Sequence, residues 1–246
     1  MGLRWCVIAL AFGLISGCHH AKVNAPAFTQ VMAPHQRFVA QNFDWSSVQR
    51  IVLMPLANQT AYPRIGSELQ SNLAAELQRA GRFDVVVATR DDPGVRSQDV
   101  FRSGEFNEIE LLRVAREYQA QAVLFVNVTQ YHPYVPPRLG VSLLLVSPSE
   151  GIVIASTDGL WDARETAISA QAQAHFKQTQ SWPQSLIGSE RVLESPDVFQ
   201  RFVCEQIAVA LYPPATGVSN TSVPFDATMT GLSEIPPVPP SSMSVP

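Results

Sequence analysis

The chain is 246 residues long, carries a net charge of −4 at pH 7, and is only 15% charged, against about 25% in typical domains. It has no run of Lys or Arg, which excludes a phosphate-tracking surface for nucleic acid. At roughly 100–200 residues per domain, that length holds one sizeable domain with shorter flanks.

The first eighteen residues have the order of a secretory leader: Arg4 near a positive start, an apolar run from Trp5 to Ile15, then Ile15-Ser16-Gly17-Cys18. The run is too short to cross a bilayer, which takes about 20 apolar residues. Its end resembles the bacterial lipobox. That resemblance implies a signal peptide over residues 1–17, cleavage before Cys18, and acylation of Cys18 by diacylglycerol plus an amide-linked chain. One chain binds a membrane only marginally, at about 0.8 kcal/mol per buried methylene, whereas two or more hold a protein stably. His19, not aspartate, follows the cysteine; in a double-membraned cell this favours the outer membrane, with the domain facing the periplasm. Cys6 leaves with the leader and Cys18 takes lipid, so Cys204 stands alone and no internal disulfide is expected. Its neighbours Phe202, Val203 and Ile207 mark it as a small buried hydrophobe.

Residues 18–46 lack a sustained period and read as a lipidated tether. The compact domain is expected over 47–212. Arg50 to Leu56 is a continuous apolar run, as in a strand buried on both faces. Ile65, Leu69, Leu73, Leu77 and Ala80 then share one face of a helix that Gly81 ends. Phe83 to Ala88 is a second strand, and the strand–helix–strand crossover predicts parallel pairing.

Asp91 to Glu105 reads as a polar loop. Asn107 and Glu110 form a capping box for a helix whose apolar face is Leu111, Leu112, Ala115 and Tyr118. Ala122 to Thr129 is a third strand. Val141–Ser147 and Ile152–Trp161 are two more, joined by a hairpin turn at Pro148-Ser149-Glu150-Gly151. Residues 165–180 are expected to be helical. A last helix starts at Ser195-Pro196-Asp197 and faces the sheet with Phe199, Phe202, Val203, Ile207 and Ala210. Residues 213–246, crowded with Pro, Ser, Thr and Val, read as a disordered tail. The expected fold class is α/β: a mixed sheet of about five strands with helices packed on it, in the order β-α-β-α-β-β-β-α.

Over about residues 47–212 there is a resemblance to a group of envelope lipoproteins. It rests on Ile51-Val52-Leu53-Met54-Pro55-Leu56-Ala57-Asn58, the leucine-bearing helix, Gly81-Arg82-Phe83-Asp84-Val85-Val86, and Ala120-Gln121-Ala122-Val123-Leu124. The group includes the curli-secretion lipoprotein and the lipoprotein activator of a penicillin-binding protein, and the N-terminal domain of the Tol-system periplasmic protein is similar. The resemblance implies an α/β sandwich working in cell-envelope biogenesis. The chain departs from the curli-secretion protein in having no spare pair of long alternating strands to build a pore. It departs from the synthase activator in having a short N-terminal tether.

The search for chemistry finds no Gly-x-Ser-x-Gly elbow, phosphate-binding loop, His-Glu-x-x-His or Cys-x-x-Cys. No cofactor and no metal site is expected, since His19-His20 lacks a fixed third ligand. Asp158, Asp162, Arg164 and Glu165 cluster around Trp161; they read as a salt-bridged strand end or, alternatively, as acid–base groups of an envelope hydrolase. Candidate partner-binding residues are Tyr131, His132 and Tyr134, in an aromatic and proline-rich connection, together with Trp161, Phe176 and Trp182. The function read from these features is a non-enzymatic, lipid-anchored binding or accessory module. Its expected partners are the membrane, through lipid on Cys18, and an envelope protein or peptidoglycan, with homo-oligomerisation through 167–188 as a further expectation. The alternative is a subunit of an oligomeric secretion or export assembly.

Overall fold

The apolar run beginning at Arg50 forms an interior strand of the sheet, and its two faces feed two separate cores. In a computed structural model the described residues are 35–89, 94–179 and 191–211, all within one unit, Met32–Pro246. The strands are β1 (His35–Val39), β2 (Arg50–Leu53), β3 (Ala57–Asn58), β4 (Asp84–Val87), β5 (Ala122–His132), β6 (Arg138–Ser147) and β7 (Ile152–Asp162). The helices are α1 (Ile65–Arg79), α2 (Ser97–Ser103), α3 (Glu108–Glu117), α4 (Thr166–Thr179), α5 (Arg191–Glu194) and α6 (Pro196–Ala210). The fold is α/β, as its sequence pattern predicts, and the mixed sheet has seven strands rather than about five.

Sheet order is β1-β7-β6-β5-β2-β4, with β3 pairing β5. The pairs β2–β4, β2–β5 and β3–β5 are parallel, so the first crossover is parallel as expected. The β5–β6, β6–β7 and β1–β7 pairs are antiparallel. Alternation sends Ile51, Leu53, Leu124 and Val126 to one core with α1, α4 and α6. Val52, Met54, Val123 and Phe125 go to the other, beneath α2 and α3. A strand serving two cores needs apolar residues at every position, which accounts for the unbroken run.

On α1 the side chains of Ile65, Leu69, Leu73 and Leu77 are buried, each stabilising the fold by about 1.5–3 kcal/mol. The helix closes where Gly81, at φ 69°, takes a conformation cheap only for glycine. The β6–β7 turn closes in the same way, at Gly151 with φ 66°; its N–H donates to the Ser147 carbonyl at 2.9 Å. Cys204 is fully buried, and burial pushes its thiol far up, which leaves it an unreactive core residue.

Four local expectations are corrected. The strand β1 lies within residues 18–46, the stretch read as tether; it pairs with β7, His35 opposite Gly159. Within the expected polar loop, residues 97–103 form α2, held down by Val100 and by the Ser97 hydroxyl, which donates to the Pro55 carbonyl at 2.6 Å. Only half of the capping box forms. Asn107 Oδ1 accepts from the N–H groups of Ile109 and Glu110, while the Asn107 N–H donates to Gly94 and Glu110 pairs with Arg113. Ser195 makes no side-chain cap, so α6 begins on Pro196 alone. Among the described residues no helix is long and apolar enough to cross a membrane.

Candidate functional site

Among the described residues, the β5–β6 hairpin carries the most exposed aromatic and aliphatic side chains on adjacent residues, and a β-bulge in β5 decides which of its residues face outward. The register shifts between Val128 and Gln130. Val126 and Val128 point into the first core, and strict alternation would send Gln130 there next. Instead Gln130 is exposed and Tyr131 turns inward. The opposite residue is Gly140, where an added Cβ would stand 2.6 Å from Thr129 Oγ1 and 3.1 Å from Gln130 Cβ. Glycine is therefore what lets the bulge close.

Tyr131 is consequently part of the scaffold. Its hydroxyl accepts from Gln200 Nε2 at 3.1 Å, and its ring meets Tyr62 edge-on at 5.3 Å. Burial pushes its phenol up; the Gln200 hydrogen bond pulls the other way, and the charges of Glu68 and Asp197 add to the rise. Asn58 fixes the neighbouring loop. Its Oδ1 accepts from the Thr60 N–H at 2.9 Å, and its Nδ2 donates to the Tyr62 carbonyl at 2.8 Å.

Beyond Tyr131 the chain leaves the body. The His132 ring lies 5.5 Å from the Tyr134 ring at 77°, and its Nδ1 is 3.2 Å from the Tyr134 carbonyl oxygen. Tyr134 is 66% and Val135 62% exposed. Pro133, Pro136 and Pro137 flank them; Pro137 is buried, and its carbonyl accepts from the Ala163 N–H at 3.0 Å. This makes a stiff apolar tip that loses little entropy when a partner covers it.

Trp161 and Phe176, expected to bind a partner, are core instead. Trp161 is 0% and Phe176 7% exposed, because the inward faces of β7 and α4 close over them. Trp182 and Cys18 lie outside the described residues. Among the described candidate residues, His132 and Tyr134 alone come together at an outward surface.

The acidic cluster is a salt-bridged strand end. Asp162, 4% exposed, accepts from Arg164 Nε at 2.9 and 3.0 Å, from the Arg164 backbone N–H at 3.0 Å, and from Nη2. The Arg164 hydrogen bonds hold its carboxyl below the usual carboxylate range, outweighing its burial, and Arg138 acts in the same sense. Asp162 is thus an ionised acceptor at neutral pH and has no proton to donate. Asp158, exposed on β7, accepts from the Ser142 hydroxyl across the β6–β7 pair.

A concavity, which the sequence does not announce, lies at the other end of the same hairpin. It is an open cleft of about 420 Å³ lined by Phe43, Leu112, Ala115, Arg116 and Pro148 among others. Its walls come from three separate segments, so no local motif marks it. Among the described residues no group of His, Cys, Asp and Glu is placed to hold a metal.

These features define a mixed-sheet α/β sandwich with helices on both faces and a protruding hairpin tip. No protein-family model matches the chain, and no curated protein matches it significantly. Solved structures similar to it include the PelC dodecamer from Paraburkholderia phytofirmans, at 21% identity and TM-score 0.40, covering 55% of this chain and 86% of that one. Lipoprotein GNA1162 from Neisseria meningitidis is similar at 16% identity and TM-score 0.34, covering 53% and 96%. The LpoB C-terminal domain from Salmonella enterica is similar at 18% identity and TM-score 0.33, covering 49% and 86%. One of these neighbours, GNA1162, is named a lipoprotein. The likeness is slight and concerns the course of the backbone, not side chains at a site.

Proposed function

We propose that this chain is a lipid-anchored envelope module without catalytic activity, which binds an envelope protein or peptidoglycan through the tip at His132, Tyr134 and Val135. The observation that carries this reading is the exposure of Tyr134 and Val135, 66% and 62%, on a connection stiffened by three prolines. Aromatic groups held rigid on a surface supply much contact area at little entropy cost. The lipobox at Cys18 supports the second half of the reading. Acyl chains on Cys18 confine the domain to a membrane plane and raise its effective concentration near a membrane-bound or wall-bound partner.

The test is photo-crosslinking in cells from position 134, with mass spectrometry of what is captured, beside fractionation of Cys18→Ser. Recovery of one envelope component from position 134, and movement of the Cys18→Ser protein out of the membrane fraction, are the expected results. Capture of nothing above a position 109 control overturns the tip as the docking site, and unchanged membrane retention of Cys18→Ser overturns the anchor. A ring-sized particle in detergent, with self-crosslinks from position 134, supports the export-subunit reading instead.

A further inference from the structure

The open cleft at the end of the hairpin away from the tip has apolar walls and a single charge. Phe43, Leu112, Ala115 and Pro148 line it, and Arg116 is the only charged residue among the described residues that do so. Phe43 is braced edge-on by Trp45, ring centroids 5.4 Å apart, while the Trp45 indole N–H donates to the Ala40 carbonyl at 3.0 Å. The Arg116 guanidinium is exposed and pairs with no acid among the described residues. Arg113, three residues earlier, bridges Glu110 and Glu117 instead. On the rim, the Ser147 and Ser149 hydroxyls share one hydrogen bond at 3.2 Å, which leaves one hydroxyl proton for an outside acceptor.

An apolar, aromatic cleft with donors on its rim suits a proline-rich strand. Such a segment is extended before it binds, presents flat ring faces, and offers carbonyl acceptors with few N–H groups. The chain carries one itself, outside the described residues. Glu234-Ile235-Pro236-Pro237-Val238-Pro239-Pro240 has two overlapping Pro-x-x-Pro spacings directly after an acid. Residues 213–246 contain two acids, Asp226 and Glu234, and no Lys or Arg, so their charge is opposite to that of the cleft. We propose that the cleft is the dock of this segment, with its prolines over Phe43 and Pro148 and Glu234 against Arg116. The rival occupant is the tip of a second copy, with its own Pro133-Tyr134-Val135-Pro136 spacing. That tip has no acid to meet Arg116.

The reach fits. The last turn of α6 lies beside β1, where Arg37 Nε donates to the Ala210 carbonyl at 2.6 Å. Phe43 is six residues beyond Arg37, hence within about 20 Å of it. Residues 212–233 number 22, and a coil of that length spans about 23–28 Å. A tether whose span matches the gap gives an effective concentration in the millimolar range, enough to fill a weak dock.

The experiment places a photo-crosslinking residue at position 238 of the full-length protein in detergent. Heavy-isotope-labelled and unlabelled protein are mixed equally, and the products are mapped by mass spectrometry. Attachment within one molecule to residues 43–47, 112–121 or 147–149 is expected, at least about fivefold above the yield from position 222. Arg116→Glu should lower that yield at least about threefold, since it turns attraction into repulsion, and adding Glu234→Arg should restore it. Arg116 is exposed, so its substitution leaves the fold intact. Products that join two molecules overturn the self-dock in favour of the second copy. So does a yield no higher than from position 222, one that Arg116→Glu leaves unchanged, or one that Glu234→Arg does not restore, each of which overturns the self-dock outright.

Discussion

Gln200 and Tyr131, 69 positions apart, meet through one hydrogen bond of 3.1 Å from the amide nitrogen to the phenol oxygen. The bond ties α6 to the tip end of β5, three residues before the exposed Tyr134. Two tyrosines of one short segment therefore serve opposite purposes. Tyr131→Phe leaves the buried amide of Gln200 without that acceptor and is expected to cost about 1 kcal/mol of stability in urea unfolding, with crosslinking from position 134 unchanged. Tyr134→Ala is expected to alter stability by less than about 0.5 kcal/mol and to weaken capture of the partner. The reverse assignment of the two effects would show that the tip is not the docking surface.

Gly140 makes the hairpin's geometry testable. A methyl group there would stand 2.6 Å from Thr129 Oγ1, closer than packed atoms tolerate. Gly140→Ala is expected to destabilise by about 1–3 kcal/mol, measured by thermal or urea unfolding. Thr129→Ala in the same chain removes the nearest clashing atom, so the double variant should lose less than the sum of the two single losses. Strict additivity would show that the bulge is held by something other than this contact.

What the sequence discloses and what it hides follow the same physics. The run at 51–54, the leucine stripe of α1, Gly81 and the 148–151 turn are legible because each depends on neighbours in sequence. By contrast, β1 carries Arg37 and the 43%-exposed Phe38 on a strand that, among the described residues, pairs only with β7, so no alternation betrays it. With seven residues, α2 is too short to express a helical period. At the candidate site the composition marks an aromatic stretch but cannot choose between Tyr131 and Tyr134. That choice is made by the bulge, which depends on Gly140 across the sheet. Trp161 and Phe176 mislead for a related reason: a large ring beside polar residues reads alike in a core and on a surface until the inward parity of its element is known.

The start of α3 rests on Asn107, whose Oδ1 accepts from the Ile109 N–H at 3.0 Å and the Glu110 N–H at 3.2 Å. Since Glu110 does not reciprocate, the cap is one-sided. Asn107→Ala is expected to cost about 1 kcal/mol, Asn107→Asp almost nothing, and Glu110→Ala only what its exposed pairing with Arg113 supplies. Thermal unfolding of the three variants distinguishes this from a reciprocal box, in which Glu110→Ala would match Asn107→Ala.

The Asp162–Arg164 pair gives the fold a pH dependence at the acid end. Hydrogen bonds from Arg164 depress the folded-state carboxyl of Asp162, so the folded chain binds that proton less readily than the unfolded chain does. The resulting stability is present above the ordinary aspartate range, near pH 3.9, and is lost as pH falls through the depressed value. Asp162→Asn keeps the volume and removes the charge. It should be less stable than the unmodified chain at neutral pH, and the gap should close in acid once Asp162 is protonated in both folded and unfolded chains. Because Arg164 is 62% exposed, salt should narrow the neutral-pH gap as well. Urea midpoints measured across the acid range, at low and high salt, check both trends; a gap that persists undiminished at the acid end would mean that Asp162 acts by packing, not by charge.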